Sequence, residues 1–242
     1  MSIYSILCTR TKELSAHTAN LVEYLNQLSV AGPSDLRKKV ELCIGKESIF
    51  SSYSNAIKEL DNSNKLKDDD IIIFCHDDIQ PLLSPSQLTK LLTDELILTN
   101  EPRMGFVGPA GTTSLEKDAI WWNQDNWKAW KHRGMVYHGE TLSKSTGTYY
   151  GSNGQVVVLD GLFLSIKYST LKYISLDKPE YFNGLWDFYD IYYTYQAHTK
   201  KFVNKVINLP ILHRSRGELV GRDSWHKNRE AFIANNKLPM YI

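Results

Sequence analysis

Asp70-Ile71-Ile72-Ile73-Phe74-Cys75-His76-Asp77-Asp78-Ile79-Gln80-Pro81 is the stretch in which an apolar run stops at a histidine and two carboxylates. Ile71 to Cys75 is short, unbroken and rich in β-branched side chains, the pattern of a strand covered on both faces in a parallel sheet. The residues after it then lie at the carboxyl edge of that sheet, where open α/β folds hold their ligands. Asp77 and Asp78 offer hard oxygens suited to Mg²⁺ or Mn²⁺, and His76 offers an imidazole nitrogen. The alternative for the same residues is a solvated turn after a strand.

The chain before this stretch alternates in the same way. Ile3 to Cys8 reads as a strand that leaves through the turn Thr9-Arg10-Thr11-Lys12. Leu14, Leu21, Tyr24, Leu25 and Leu28 recur at helical spacing, and Gly32-Pro33 closes that unit. Val40 to Ile44 is a second strand, and Ser51-Ser52-Tyr53-Ser54-Asn55-Ala56-Ile57 opens a second helix. Free N–H groups and hydroxyls at such a start can hold a phosphate or a base edge, or they can simply cap the helix. Strand, helix, strand, helix, strand predicts a parallel α/β sheet. There is no Gly-rich dinucleotide fingerprint after the first strand and no Walker-type Gly-Lys-Ser/Thr, so a nucleotide is not held in the Rossmann or P-loop way.

Beyond Pro85, Gln87 to Leu98 reads as a helix and Met104 to Gly108 as a strand. From Gly108 to Gly154 the periodicity weakens and aromatic residues crowd in, among them Trp121, Trp122, Trp127, Trp130, Tyr137, Tyr149 and Tyr150. So long a stretch with few regular signals is more often functional than idle, and it is expected to form the acceptor side of a cleft. Val156 to Ile166 restores strand character on either side of Asp160-Gly161. A carboxylate between buried strands needs a partner or a substrate hydroxyl, although an Asp-Gly turn explains the pair equally well. Gly184 to His198 reads as a helix that places Asp187 and Asp190 on one face near its start; two acids there also complement the helix dipole. Val203 to Leu209 is a further strand, followed by Ile211-Leu212-His213-Arg214-Ser215-Arg216-Gly217.

The bulk properties bound the function. A chain of 242 residues with 42% hydrophobic and 23% charged residues is a globular protein with one sizeable core. A net charge of +1 gives no overall case for a polyanionic partner, although His198 to Ile242 carries nine Lys/Arg against three acids, a local surplus of six. That surplus suits a donor diphosphate or a nucleic-acid acceptor, or merely a solvated face. Cys8, Cys43 and Cys75 each sit in a strand-like segment, which reads as reduced core cysteines and a cytoplasmic setting. No segment approaches the ~20 apolar residues of a membrane span, and no signal-type N-terminus is recognisable.

Five segments, Ile72 to Ile79, Gly105 to Gly111, Leu159 to Phe163, Asp187 to Ile191 and Leu212 to Gly217, resemble in order and spacing the family-2-like glycosyltransferases of GT-A fold. The resemblance covers residues 1 to 217. It implies a single Rossmann-like, mostly parallel α/β domain flanked by helices, with an aromatic-rich acceptor-side insertion. Residues 1–107 would form the nucleotide-binding half and residues 108–242 the acceptor-binding half. It further implies a metal-dependent, inverting hexosyl- or pentosyltransferase that uses Mn²⁺ or Mg²⁺ and a nucleotide sugar, most simply a UDP-sugar.

His76-Asp77-Asp78 looks like the family's DxD motif, with Asp78, His76 and His213 as metal ligands. Asp190 corresponds to the catalytic base, with Asp187 beside it. Thr9, Arg10, Ser52, Asn55, His76, Asp77, Arg214 and Arg216 resemble the nucleotide-holding positions. Asp160, Gly161, Trp121, Trp122 and Trp186 are the candidate substrate contacts. The acceptor is then a glycan or lipid-linked sugar, or a modified nucleic-acid base. A non-catalytic carbohydrate- or nucleotide-binding module and a nucleotidyltransferase are the competing readings, and oligomeric state is left open.

Overall fold

The computed structural model describes residues 1–28, 40–214 and 223–242. In chain order the first elements are β1 (Ile3–Cys8), α1 (Ala16–Asn26), β2 (Val40–Cys43), α2 (Ile49–Asn62), β3 (Ile71–Cys75), β4 (Ile79–Pro81), α3 (Pro85–Leu96) and β5 (Met104–Gly108). They continue as β6 (Ala110–Thr112), β7 (Ser114–Leu115), α4 (Gln124–Lys128), β8 (His132–Gly139), β9 (Ser145–Gly151), β10 (Gly154–Val156), β11 (Val158–Leu159) and β12 (Phe163–Lys167). The last are α5 (Tyr168–Leu171), α6 (Tyr189–Thr199), β13 (Val203–Val206), β14 (Ile211–His213), α7 (Asp223–Asn235) and β15 (Met240–Tyr241).

The main sheet runs β10-β13-β5-β12-β3-β1-β2. Its pairings make β1, β2, β3, β5 and β13 point one way, while β12 and β10 are reversed. Ile71, Ile72, Ile73, Phe74 and Cys75 are all buried, so β3 is covered on both faces as its composition requires. Each such apolar side chain contributes about 1.5–3 kcal/mol by leaving water, and together they fix β3 as an interior strand between β12 and β1. Helices flank the sheet: α1 lies against β2, α2 against β1, α3 against β5 and β12, and α6 against β5 and β13.

The helix starts follow local chemistry. Ser15 caps α1 and Ser48 caps α2 by accepting from Thr18 N and Ser51 N. Ser84 makes a capping box with Gln87, and Pro85 begins α3, where its missing N–H costs nothing. One expected helix is shorter than its sequence suggests. The stretch from Gly184 becomes helical only at Tyr189, because Phe188 takes a left-handed conformation (φ 70°) while its ring is buried among Phe182, Trp225 and Phe232. Asp187 therefore lies outside α6 and does not share a helical face with Asp190.

A second sheet, β11-β6-β8-β14-β4 with β9 on β8, is built largely from the aromatic middle. The expected irregular insertion is thus a regular β8–β9 hairpin and its neighbours. All three cysteines are free, Cys8 and Cys75 buried and Cys43 half-buried. Among the described residues no helix is long and apolar enough to cross a membrane. The positions Gly32-Pro33, Arg216 and Arg222 lie outside the described residues.

Candidate active site

Three register relationships assemble the site. In β12 and β3, Phe163 pairs with Cys75, and His76 N donates to Leu162 O at 3.1 Å, so Asp160-Gly161-Leu162 lies beside His76-Asp77-Asp78. In β14 and β4, His213 pairs with Ile79, which brings its ring to Asp78. The first turn of α6 meets the same place: Gly161 N donates to Asp190 Oδ2 at 3.0 Å, and Tyr189 Oη donates to Gly161 O at 3.0 Å. No side chain at Gly161 would fit, since a Cβ would fall 2.8 Å from Tyr189 Cζ and 2.9 Å from Asp190 Cβ.

The result is a cavity of about 680 Å³ at the carboxyl edge of β1 and β3. His76, Asp78 and His213 each present a ligand atom within 4.8 Å of the others. His213 Nε2 is 3.4 Å from Asp78 Oδ2, and His76 Nδ1 is 3.8 Å from Asp78 Oδ1. The other nitrogen of His76, Nε2, lies 2.9 Å from the Tyr189 hydroxyl.

The protonation states follow from the surroundings. Burial lowers the proton affinity of His76, outweighing the attraction of Asp78, and keeps its ring neutral. Burial would raise Asp78, but its hydrogen bond with His213 and the two imidazoles beside it hold it below the usual carboxylate range. Burial and the charge of Asp78 push Asp77 up. Asp190 is pushed up to about 7 by burial and then by Asp160, with backbone N–H groups of Ile191 and Gly161 working the other way. One cavity therefore holds a neutral imidazole, a firmly ionised carboxylate and a carboxyl that titrates near neutrality, an arrangement fit for cation binding beside proton transfer.

Of the residues singled out from sequence, Arg10, His76, Asp77, Asp78, Trp121, Trp122, Asp160, Trp186, Asp187, Asp190 and His213 line this cavity. Gly161 shapes its wall from behind. Asp187 is turned toward the C-terminal helix: its Oδ2 accepts from Ser224 Oγ at 2.6 Å, and its Oδ1 is 3.9 Å from Arg10. Arg10 in turn lies over the Trp186 ring, 4.8 Å from its centroid.

Four nucleotide-holding candidates are placed elsewhere. Thr9 is buried and its hydroxyl donates to Thr11 O. Ser52 donates back to Ser48 O at 2.7 Å, because a serine one turn into a helix satisfies its own backbone. Asn55 is exposed and does not line the cavity. Arg214 bonds Glu140 O and Gln80 Oε1, away from the cavity. Basic residues of the C-terminal segment are likewise engaged locally, Lys205 with Glu95 and Lys227 with Asp223.

Tyr189, His138, Trp127, Tyr150, Phe188 and Trp225 also line the cavity without having been singled out as site residues. His138 was within reach of the sequence: His132, Gly134 and Val136 alternate inward, and His138 continues that period beside His213, ring centroids 5.5 Å apart. Tyr189 carried no local signal, since its contact with His76 spans 113 residues.

A family model described as "Glycosyltransferase like family" matches residues 6–236. No curated protein matches the sequence significantly. Among solved structures, the crystal structure of GalNAc-T7 with UDP, GalNAc and Mn²⁺ superposes with a TM-score of 0.57 at 9% identity, over 90% of this chain and 44% of that one. The chain therefore spans less than half of that neighbour, and the likeness is one of fold, the GT-A-like arrangement of a mixed sheet between helices. The crystal structure of A197 from STIV matches with a TM-score of 0.49 at 12% identity, over 89% of this chain and 86% of that one.

Proposed function

The chain belongs to the glycosyltransferase-like family, and from that premise we propose that it moves a sugar from a UDP-sugar to an acceptor hydroxyl, with Mn²⁺ or Mg²⁺ held by His76, Asp78 and His213 and with inversion at the anomeric carbon. The observation that carries the reading is the sharing of one cavity by that triad and by Asp190. The donor set fits a divalent ion: two imidazoles and a carboxylate whose Oδ1 is buried without a hydrogen-bond partner. Two nitrogen ligands favour Mn²⁺ over Mg²⁺. When bound there, the ion supplies positive charge to the leaving diphosphate.

The chain's own residues account for the rest. Asp190, poised near neutrality and oriented by Gly161 N–H, accepts the proton of the acceptor hydroxyl. Asp160 is fixed by Leu162 N at 2.9 Å and faces the same space, where it can receive a sugar hydroxyl. Arg10 of residues 1–107, with the Trp186 ring beneath it, forms a polar and flat wall for the nucleotide. Trp121, Trp122, Trp127 and Trp225 on the side of residues 108–242 offer ring faces to the acceptor and exclude water. Among the described residues no Lys or Arg of the C-terminal segment lines the cavity, which favours a glycan acceptor over a nucleic acid. A single displacement assisted by one base inverts the anomeric centre.

Calorimetry with UDP, with and without Mn²⁺, tests the donor and metal assignment. Metal-enhanced UDP binding is expected, whereas sugar binding with no nucleotide affinity would make the protein a carbohydrate-binding module. With an active donor identified by hydrolysis screening, the product anomer read by NMR decides stereochemistry.

A further inference from the structure

We infer that Tyr189 is a positioning residue whose phenol holds His76 in the tautomer protonated on Nε2, so that Nδ1 is the nitrogen turned to the cation. This rests on the metal-dependent reading above. The Tyr189 hydroxyl lies 2.9 Å from His76 Nε2 and donates to Gly161 O at 3.0 Å. A phenol has one proton, and a carbonyl has none to give. With that proton committed to Gly161, the hydrogen bond to His76 must be donated by Nε2–H. The lone pair of a neutral imidazole then resides on Nδ1. That is the atom 3.8 Å from Asp78 Oδ1, a separation too long for a hydrogen bond. The other tautomer would point an N–H at the triad and bar ligation.

The phenol is itself held in place. Tyr189 is 4% exposed, and its ring packs edge-on to Phe50, Tyr53 and Tyr193 at centroid distances of 6.5, 5.8 and 5.9 Å. On the remaining side it rests on Gly161, where nothing larger fits. The two backbone groups of Gly161 thus serve both halves of the site: its carbonyl fixes the phenol that orients His76, and its N–H fixes Asp190. Tyr189 and Asp190 are consecutive in the first turn of α6, so one helix start supplies both.

Tyr189→Phe keeps the ring and removes only the hydroxyl. Nitrogen-15 NMR of the imidazole groups of metal-free protein should show wild-type His76 protonated on Nε2, and a mixture of tautomers in the variant. Calorimetry with Mn²⁺ alone should show affinity falling by about 10–100-fold, the usual effect of losing a group that orients a metal ligand. A wild-type His76 protonated on Nδ1 overturns the inference without recourse to any variant, as does a Tyr189→Phe protein with unchanged tautomer or unchanged Mn²⁺ affinity. If the wild type binds no Mn²⁺, the metal-dependent reading fails; the tautomers of the metal-free proteins then decide the role of Tyr189 separately.

Discussion

His213 Nε2 lies 3.4 Å from Asp78 Oδ2, a contact set by sheet register across 135 residues of chain rather than by any local motif. β14 places His213 opposite Ile79, and Arg214 N donates to Asp78 O at 2.9 Å, so backbone pairing on both sides of the contact holds it. Oδ1 of the same carboxylate is buried with no hydrogen-bond partner. A carboxylate anchored in this way and left one oxygen short of partners is arranged to receive positive charge.

Asp78→Asn keeps the shape of that group and removes its charge. Divalent affinity should fall by on the order of 100-fold, read by calorimetry with Mn²⁺, and glycosyl transfer should be lost with it. The melting temperature should change little, because the side chain is part-exposed and its backbone bonds persist. Wild-type Mn²⁺ affinity in this variant would remove Asp78 from the cation site.

The elevated proton affinity of Asp190 gives a pH signature with a definite sign. Its folded value, about 7, lies above the ordinary carboxylate value of 3.8. Between those values the folded state binds more protons than the unfolded one, so the contribution of Asp190 to stability is present at low pH and is lost as pH rises through about 7. Asp190→Asn removes that loss. The variant should melt higher than wild type at pH 8, with the gap closing toward pH 4. The full shift corresponds to at most about 4 kcal/mol, and access of water to the cavity lowers this to about 1–3 kcal/mol. Transfer by the wild type should rise with pH through about 7, while the Asn variant loses about 10²–10⁴-fold in rate. Parallel melting curves across pH for the two proteins would contradict the assigned proton affinity.

Gly161→Ala tests the packing between the two halves of the site. The added methyl would press on the Tyr189 hydroxyl and lie 2.8 Å from its Cζ, and both neighbours are held by other contacts. Overpacking of this kind costs about 1–3 kcal/mol. Adding Tyr189→Phe removes the nearest atom, so the double variant should recover part of the loss. Denaturant unfolding of the four proteins in this cycle measures the coupling, and simple additivity would show that the two residues do not press on each other.

Much of the frame was legible because local pattern and final burial agree. Ile3–Cys8, Ile71–Cys75 and Met104–Gly108 are apolar runs that became buried strands with the same bounds. The groups that follow β3, end β14 or start α6 converged, which is why Asp78, His213 and Asp190 line one cavity. What escaped were effects that no window contains. Phe188 delays the start of the apparent helix to Tyr189 because the rings of Phe182, Trp225 and Phe232 hold its left-handed backbone. Ser52 is the local exception: it donates back to Ser48 O because Ser48 caps α2 one turn earlier. The C-terminal helix α7, read only as a basic tail, matters through polar groups on its buried side.

Asn228 of α7 is the clearest of these. It is fully buried; its Oδ1 accepts from Asn183 N and Gly184 N at 2.9 and 2.7 Å, and its Nδ2 donates to Gly184 O and Asp187 O at 3.2 and 2.9 Å. One amide side chain therefore satisfies four backbone contacts of the segment that carries Trp186 and Phe188 to the cavity. Asn228→Ala would leave those groups without partners, at about 1–3 kcal/mol for each one that water cannot reach. We expect a loss of about 3–5 kcal/mol in denaturant unfolding. In the folded fraction, Trp186 should lose its fixed place against Arg10, weakening UDP binding more than Mn²⁺ binding. Asn228→Asp retains the acceptor but not the donor and should fall between the two. An Ala variant as stable as wild type would show that the 183–188 segment is held by its aromatic packing alone.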